Sequence, residues 1–229
     1  LLFRSPLLPG KFGIGECAPL PGLSPELTDT FEQELLLAVQ KLEAIDNLRQ
    51  IRLQEITHHS SLLFAFETGL MQLQRQGAWQ ENSLFGNGKT GITINGLIWM
   101  GSYPFMLRQL EEKLAAGFRC IKIKIGNIDF DQELTLLKRI RREFAYQDIE
   151  LRVDANGAFS PNEALEKLKR LSEWNIHSIE QPIAAGQWDR MAYLVHESPI
   201  PIALDEELIG IHTKEEKQIL LQTIRPHYI

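Results

Sequence analysis

The sequence predicts an α/β protein in two parts: a small α+β domain over residues 1–90, then a (β/α) barrel over residues 91–229. The second part accommodates about six of the eight strands a closed barrel needs. Three observations lead there. From Gly91 onward short apolar runs alternate strictly with amphipathic segments, which calls for parallel strands joined by helical crossovers. Near residue 90 the run Asn82-Ser83, Gly86-Asn87-Gly88 and Gly91 is loop chemistry, separating this alternation from a Pro- and Gly-rich beginning. Three apolar runs end on an acid, at Asp154, Glu180 and Asp205, each one βα unit from the next, and a barrel brings successive strand ends to one rim. A doubly wound sheet would also align strand ends, but no phosphate-binding glycine fingerprint follows the first strand.

In the first part, Phe12 to Glu16 is a short candidate strand, followed by the turn-rich stretch Ala18-Pro19-Leu20-Pro21-Gly22-Leu23-Ser24-Pro25. Ser24, Pro25 and Glu26 read as an N-cap, a proline at the first helical position and a first-turn acid, opening a helix with Phe31, Leu35, Val39 and Leu42 on one face. A second helix from about Ser60 carries Leu63, Phe66, Leu70 and Leu73 and stops at Gly77. His58 and His59 have no cysteine or acid at ligand spacing and read as solvent-side residues, while His177, His196, His212 and His227 are unassigned.

In the second part, a strand over Gly91 to Leu97 leads into a helix from Tyr103 to Ala116 with Leu107, Leu110 and Leu114 on one face. The strand Cys120 to Gly126 precedes a helix from Asp129 to Phe144 bearing Leu134, Leu137 and Ile140. Glu150 to Asp154 is strand-like. Ser160-Pro161-Asn162-Glu163 then supplies a proline start and a capping-box glutamate for a helix with Leu165, Leu168 and Leu171. His177 to Glu180 and Ile202 to Asp205 are strands, Trp188 to Val195 and Thr213 to Gln222 helices, and Tyr228-Ile229 opens a sixth strand.

With 44% hydrophobic and 24% charged residues and a net charge of -6, the chain reads as an ordinary soluble, enzyme-like protein without the basic stripe of a nucleic-acid binder. No apolar run approaches membrane-spanning length, so no membrane partner is expected. No signal peptide is visible, and Cys17 and Cys120 stand alone, as reduced thiols of a cytoplasmic protein do. A chain opening Leu1-Leu2-Phe3 points to a start that has been lost.

The chemistry concentrates in Cys120-Ile121-Lys122-Ile123-Lys124-Ile125-Gly126. Alternation puts Lys122 and Lys124 on one face of a strand and the isoleucines on the other. On an edge strand that face would simply be solvated. In a covered parallel sheet two ammonium groups need compensating anions, and crowding with partial desolvation lowers a lysine pKa toward the range of a general base. Asp154, Glu180 and Asp205 can compensate them. Three converging carboxylates would repel one another and raise their own pKa values, whereas with a hard divalent cation they form an oxygen cage that suits magnesium.

The order KxK, Asp154-Ala155-Asn156, Ile179-Glu180-Gln181-Pro182 and Leu204-Asp205-Glu206 resembles the enolase superfamily, in its muconate-lactonizing-enzyme-like subgroup. Two stretches, Phe12 to Ser24 and Gly91 to Gly101, are similar to the o-succinylbenzoate synthases of menaquinone biosynthesis. The resemblance implies a capping domain over residues 1–90, with the Leu20-Pro21-Gly22-Leu23-Ser24 loop facing substrate, above a modified TIM barrel. It implies Mg2+, with Mn2+ as the alternative, held by Asp154, Glu180 and Asp205, and a small-molecule carboxylate substrate. Lys124 takes the role of proton-transferring residue, Lys122 stays cationic and helps hold the substrate carboxylate, and Asn156 is its hydrogen-bonding neighbour. The implied reaction is syn dehydration of 2-succinyl-6-hydroxy-2,4-cyclohexadiene-1-carboxylate through an enediolate. Dipeptide epimerases, N-succinylamino acid racemases and cycloisomerases share the same set and form the alternative, and a non-catalytic scaffold retaining the charges is the third reading. A homo-oligomer is compatible with all of these. The family carries a further lysine on its sixth strand, and the sequence stops before that position.

Overall fold

Bare backbone contact organises the first of two units, Leu1–Ile92, into which the computed structural model divides; residues 1–45, 47, 51–75 and 84–229 are described. Strands β1 (Leu2–Phe3) and β2 (Gly13–Ile14) pair antiparallel, and helices α1 (Phe31–Glu43), α2 (Leu53–Ile56) and α3 (Ser60–Gln74) follow. A Cβ on Gly13 would stand 1.8 Å from the Gly69 carbonyl oxygen and one on Gly15 1.8 Å from that of Ala65, so only glycine lets this segment lie on α3. Phe31, Ala38, Ile56, Leu62 and Phe66 form the core of the unit.

Three expectations for this unit change. The strand over Phe12 to Glu16 contracts to Gly13–Ile14. The first helix starts at Phe31 rather than after Ser24, because the intervening polar side chains bond elsewhere: Ser24 Oγ accepts from Leu20 N at 2.9 Å, and Glu26 accepts from Ser61 N at 3.1 Å, at the start of α3. His59 is half-buried, bonded to the Glu34 carboxylate and set edge-on to Phe31, whereas His58 is exposed. The expected stop at Gly77 and the loop residues Asn82-Ser83 lie outside the described residues.

In the second unit, Thr93–Ile229, five parallel strands follow one another in chain order: β3 (Gly96–Ile98), β4 (Cys120–Lys124), β5 (Glu150–Asp154), β6 (Ser178–Glu180) and β7 (Ile202–Ala203). Helices α4 (Tyr103–Ala115), α5 (Phe130–Glu143), α6 (Ala164–Ser172) and α7 (Trp188–Glu197) connect them, and α8 (Lys214–Ile224) follows β7. Strand order that advances without reversal is the progression of a barrel rather than of a doubly wound sheet. Beyond β7, Tyr228 bridges parallel to Ala203, so a sixth strand begins where the sequence places one. Ile121, Ile123, Leu151, Val153, Ile179 and Ile202 are buried in one cluster with Leu110, Leu137, Ile140, Leu168, Met191, Leu194 and Leu220 of the helices, which leaves the opposite strand face for polar residues.

The first strand of this unit is shorter than Gly91 to Leu97: Ile92 and Ile94 are exposed, and β propensity without a pairing partner makes no strand. The Ser160/Glu163 capping box does not form. Ser160 Oγ donates to Glu163 Oε2 at 2.6 Å, and the helix begins a turn later, at Ala164. A full box forms instead at Thr213 and Glu216, opening α8. β7 ends at Ala203, so Asp205 lies beyond the strand and precedes a 3-10 turn, Glu206–Leu208. Among the described residues no helix is long and apolar enough to cross a membrane.

Candidate active site

β4 is paired on both sides, with β3 and with β5, so the edge-strand reading of its lysines fails. Register aligns Lys124 with Asp154, and Asp154 in turn with Glu180. Side chains in register on one sheet face are neighbours. Lys124 Nζ lies 2.6 Å from Asp154 Oδ2, and Lys122 Nζ lies 2.9 Å from the same oxygen and 2.6 Å from Glu180 Oε2. Two ammonium groups thus meet two carboxylates, which is the compensation that a fully buried Asp154 requires.

The surroundings of Lys122 set its charge. Burial pushes its pKa down, but the hydrogen bonds that Lys122 donates to Glu180 and Asp154 outweigh burial and the net shift is upward, so Lys122 stays cationic. Burial also opposes ionisation of Asp154, yet the bonds from Lys124 and Lys122 hold its carboxyl below the usual range. Glu180 goes the other way: burial and then the neighbouring Asp154 charge raise it, with the Lys122 bond offsetting only part. The two acids therefore divide into a firm carboxylate and one that is protonated more readily.

Asn156 follows β5 in the left-handed region, with φ 44°, and Gly157 beside it has φ 75°. This double turn folds the segment back on the strand end: Asn156 N donates to Asp154 Oδ1 at 3.0 Å, and Gly157 N to the Gln181 carbonyl at 2.7 Å. Lys124 Nζ donates to Asn156 Oδ1 at 2.8 Å. Asp205 is exposed, its backbone N–H held 3.2 Å from Gln181 Oε1. Among the described residues no three His, Cys, Asp or Glu side chains are gathered closely enough to hold a metal. Asp154 and Glu180 are together, with Asp205 at the next strand end.

Two residues of this rim, Trp99 and Gln181, were given no role from sequence, whereas Glu206 was weighed beside Asp205 and not taken as a ligand. Trp99 directly follows β3, and its ring centroid lies 5.5 Å from Lys124 Nζ. Its backbone is clamped by Gln109, which accepts from Trp99 N and donates to Trp99 O, both at 3.0 Å. Buried Gln181 donates to Ile183 O and to Glu207 Oε2, tying the ends of β6 and β7 together. Glu206 accepts from Asn156 Nδ2 at 2.7 Å. Position immediately after a barrel strand was the available signal for Trp99.

Comparison with known proteins places this chain in a family. A family model described as "Enolase C-terminal domain-like" matches residues 106–217. An o-succinylbenzoate synthase from Desulfotalea psychrophila is 43% identical over 96% of this chain and 67% of its own length. The chain belongs to the enolase superfamily. Among solved superfamily structures, MenC from Desulfotalea psychrophila is 41% identical with a TM-score of 0.80, over 96% of this chain and 69% of that one. The o-succinylbenzoate synthase from Thermosynechococcus elongatus, solved with magnesium in its active site, is 23% identical with a TM-score of 0.70 and covers 96% of this chain and 63% of that one, a likeness in fold. The chain thus spans about two thirds of the length of these superfamily members.

Proposed function

We propose that the protein is an o-succinylbenzoate synthase, a hydro-lyase that dehydrates 2-succinyl-6-hydroxy-2,4-cyclohexadiene-1-carboxylate. The 43% identity to an o-succinylbenzoate synthase over 96% of the chain supports the choice of substrate, and one observation supports the proton transfer: a lysine amine, Lys124 Nζ, held by two acceptors, Asp154 Oδ2 and Asn156 Oδ1, beside a second, firmly cationic lysine. A neutral amine has two N–H groups and one lone pair, so two fixed acceptors take the N–H groups and leave the lone pair to receive a proton from the substrate.

The donor set fits magnesium. Asp154 and Glu180 offer hard oxygens, and the Lys122 ammonium already stands 2.9 and 2.6 Å from them, a cation at the point where both carboxylates converge. Asp154, Glu180 and Asp205 would hold the ion, with manganese as the alternative. Bound there, it would supply Lewis-acid stabilisation of the negative charge that grows on the substrate carboxylate as the α-proton leaves.

The chain's own groups would do the rest. Lys122, cationic, pairs with the substrate carboxylate and adds to that stabilisation. Lys124, as the neutral amine, takes the α-proton; the ring carbon–oxygen bond then breaks, and the same proton goes to the departing hydroxide as water forms and the ring becomes aromatic. Both transfers occur on one face because one amine makes both. The substrate is a small carboxylate and the setting cytoplasmic; a homo-oligomer is compatible with this site.

The test is turnover by the full-length protein, with magnesium and with EDTA, of the hydroxycyclohexadiene carboxylate and, separately, of N-succinyl amino acids and dipeptides. Metal-dependent formation of o-succinylbenzoate supports the reading. Racemisation or epimerisation with no dehydration transfers the same lysines and acids to the racemase and epimerase branch, and no turnover with no metal binding leaves the scaffold reading.

A further inference from the structure

Lys124 is positioned by more than the residues it touches. Its acceptor Asn156 has a side-chain amide with a donating end and an accepting end, and which end faces the lysine decides whether the contact attracts or repels. An NH2 group aimed at an ammonium would oppose it. The carbonyl end is selected by what lies on the far side: Nδ2 donates to Glu206 Oε1 at 2.7 Å while Oδ1 accepts from Lys124 Nζ at 2.8 Å. A carboxylate accepts and cannot donate, so the amide has one favourable orientation with Glu206 present and loses that constraint without it.

Glu206 has no other visible employment. Among the described residues its side chain accepts from Asn156, and Oε2 is buried with no partner. A buried, unpaired carboxylate oxygen is unfavourable, so packing alone does not account for a glutamate here. Its location does: it opens the 3-10 turn after β7 while Asn156 follows the end of β5, so the contact spans the ends of two strands that flank β6. The backbone of Asn156 is fixed independently by Asp154 Oδ1, which leaves the amide torsion as the freedom that Glu206 removes.

We propose that Glu206 is a positioning residue for proton transfer: through the Asn156 amide it fixes the direction in which Lys124 presents its nitrogen to the substrate. The effect on turnover rests on the dehydration reading above, whereas the effect on the amide does not. A base swung away from its proton loses rate without weakening substrate binding, and misplacements near 1 Å cost about a hundredfold.

The test combines kinetics with nuclear magnetic resonance on the full-length protein. Glu206→Ala is expected to lower kcat by about ten- to a hundredfold with KM and magnesium affinity unchanged. Glu206→Gln, which keeps an acceptor, is expected to recover most of that loss. Because the action passes through the amide, Glu206→Ala in an Asn156→Ala background should cost nothing further. Independently of any substrate, the Asn156 side-chain NH2 signal, assigned by its disappearance in Asn156→Ala, should lose its hydrogen-bonded shift in Glu206→Ala. Wild-type kcat in Glu206→Ala, losses that multiply in the double variant, or an unmoved NH2 signal would each overturn the proposal. Loss of magnesium affinity in Glu206→Ala would overturn it too, by making Glu206 a ligand. If the wild type fails to dehydrate the substrate, the function falls, and the NH2 shift alone decides the positioning role.

Discussion

Lys124 and Asp154 are register partners on adjacent parallel strands, and their side chains meet at 2.6 Å. The ion pair is therefore built into the hydrogen-bonded ladder of β4 and β5, and no loop has to close to bring the amine to the carboxylate. Lys122 extends the same arrangement to Glu180 on β6. Such rigidity suits a group that must receive and return a proton at a fixed point.

Lys122→Met should show how far that lysine substitutes for a metal cation. Removing it leaves Asp154 and Glu180 facing each other with one ammonium fewer. The side chain is 20% exposed, so the expected loss, measured with EDTA present, is about 2 kcal/mol rather than the larger figure for a fully buried pair. Magnesium should raise the melting temperature of the variant more than that of the wild type, because the ion neutralises the two carboxylates left with one ammonium fewer. An equal rise in both proteins would show that no divalent ion binds between these acids.

Glu133 predicts a pH dependence of stability. It is buried on α5, and Oε1 accepts from Gly126 N at 2.6 Å, holding the segment that follows Lys124. Burial raises its pKa, and the bonds from Gly126, Ile128 and Asn127 recover only part of the shift. A carboxyl whose folded pKa is raised contributes stability that is present below its unfolded pKa, about 4.3, and is lost as pH rises through the folded value. Glu133→Gln keeps an acceptor and removes the ionisation. Urea denaturation should then find the wild type losing ground to the variant between pH 4 and pH 7, and a constant difference would contradict this.

Cys120 should be chemically inert in the folded protein. It is 6% exposed, and burial followed by its hydrogen bond to Glu150 pushes the thiol up to about 11. Only the thiolate is nucleophilic. Iodoacetamide at pH 8 should leave Cys120 unmodified in the native protein and alkylate it in urea, as read by mass spectrometry of peptides. Rapid native labelling would mean that β4 opens far more readily than its pairing implies.

Periodicity made the second unit legible. The crossover helices and the strands from Cys120 onward announced themselves through apolar spacing, and β5 has the bounds Glu150–Asp154 that were expected for it. The acids could be recognised because each follows an apolar run. What stayed hidden was set by partners distant in sequence: Gln109 clamping Trp99, Gln181 linking two strand ends, and Glu206 reaching Asn156 across 50 positions. Local propensity also misled where polar side chains had a better partner elsewhere. Ser160 bonded Glu163 rather than the helix backbone, and Glu26 turned to Ser61 rather than opening a helix of its own. Lys122 was expected to stay cationic, and the fold supplies two carboxylates, Glu180 and Asp154, that raise its pKa.

The most direct measurement is turnover of 2-succinyl-6-hydroxy-2,4-cyclohexadiene-1-carboxylate with magnesium by the full-length protein and by its Lys124→Ala variant, with circular dichroism to establish that the variant is folded. The account predicts metal-dependent formation of o-succinylbenzoate by the wild type and a fall of about a thousandfold or more in the folded variant. Dehydration that survives in Lys124→Ala within a few-fold of wild type would contradict it, by moving the base to another residue.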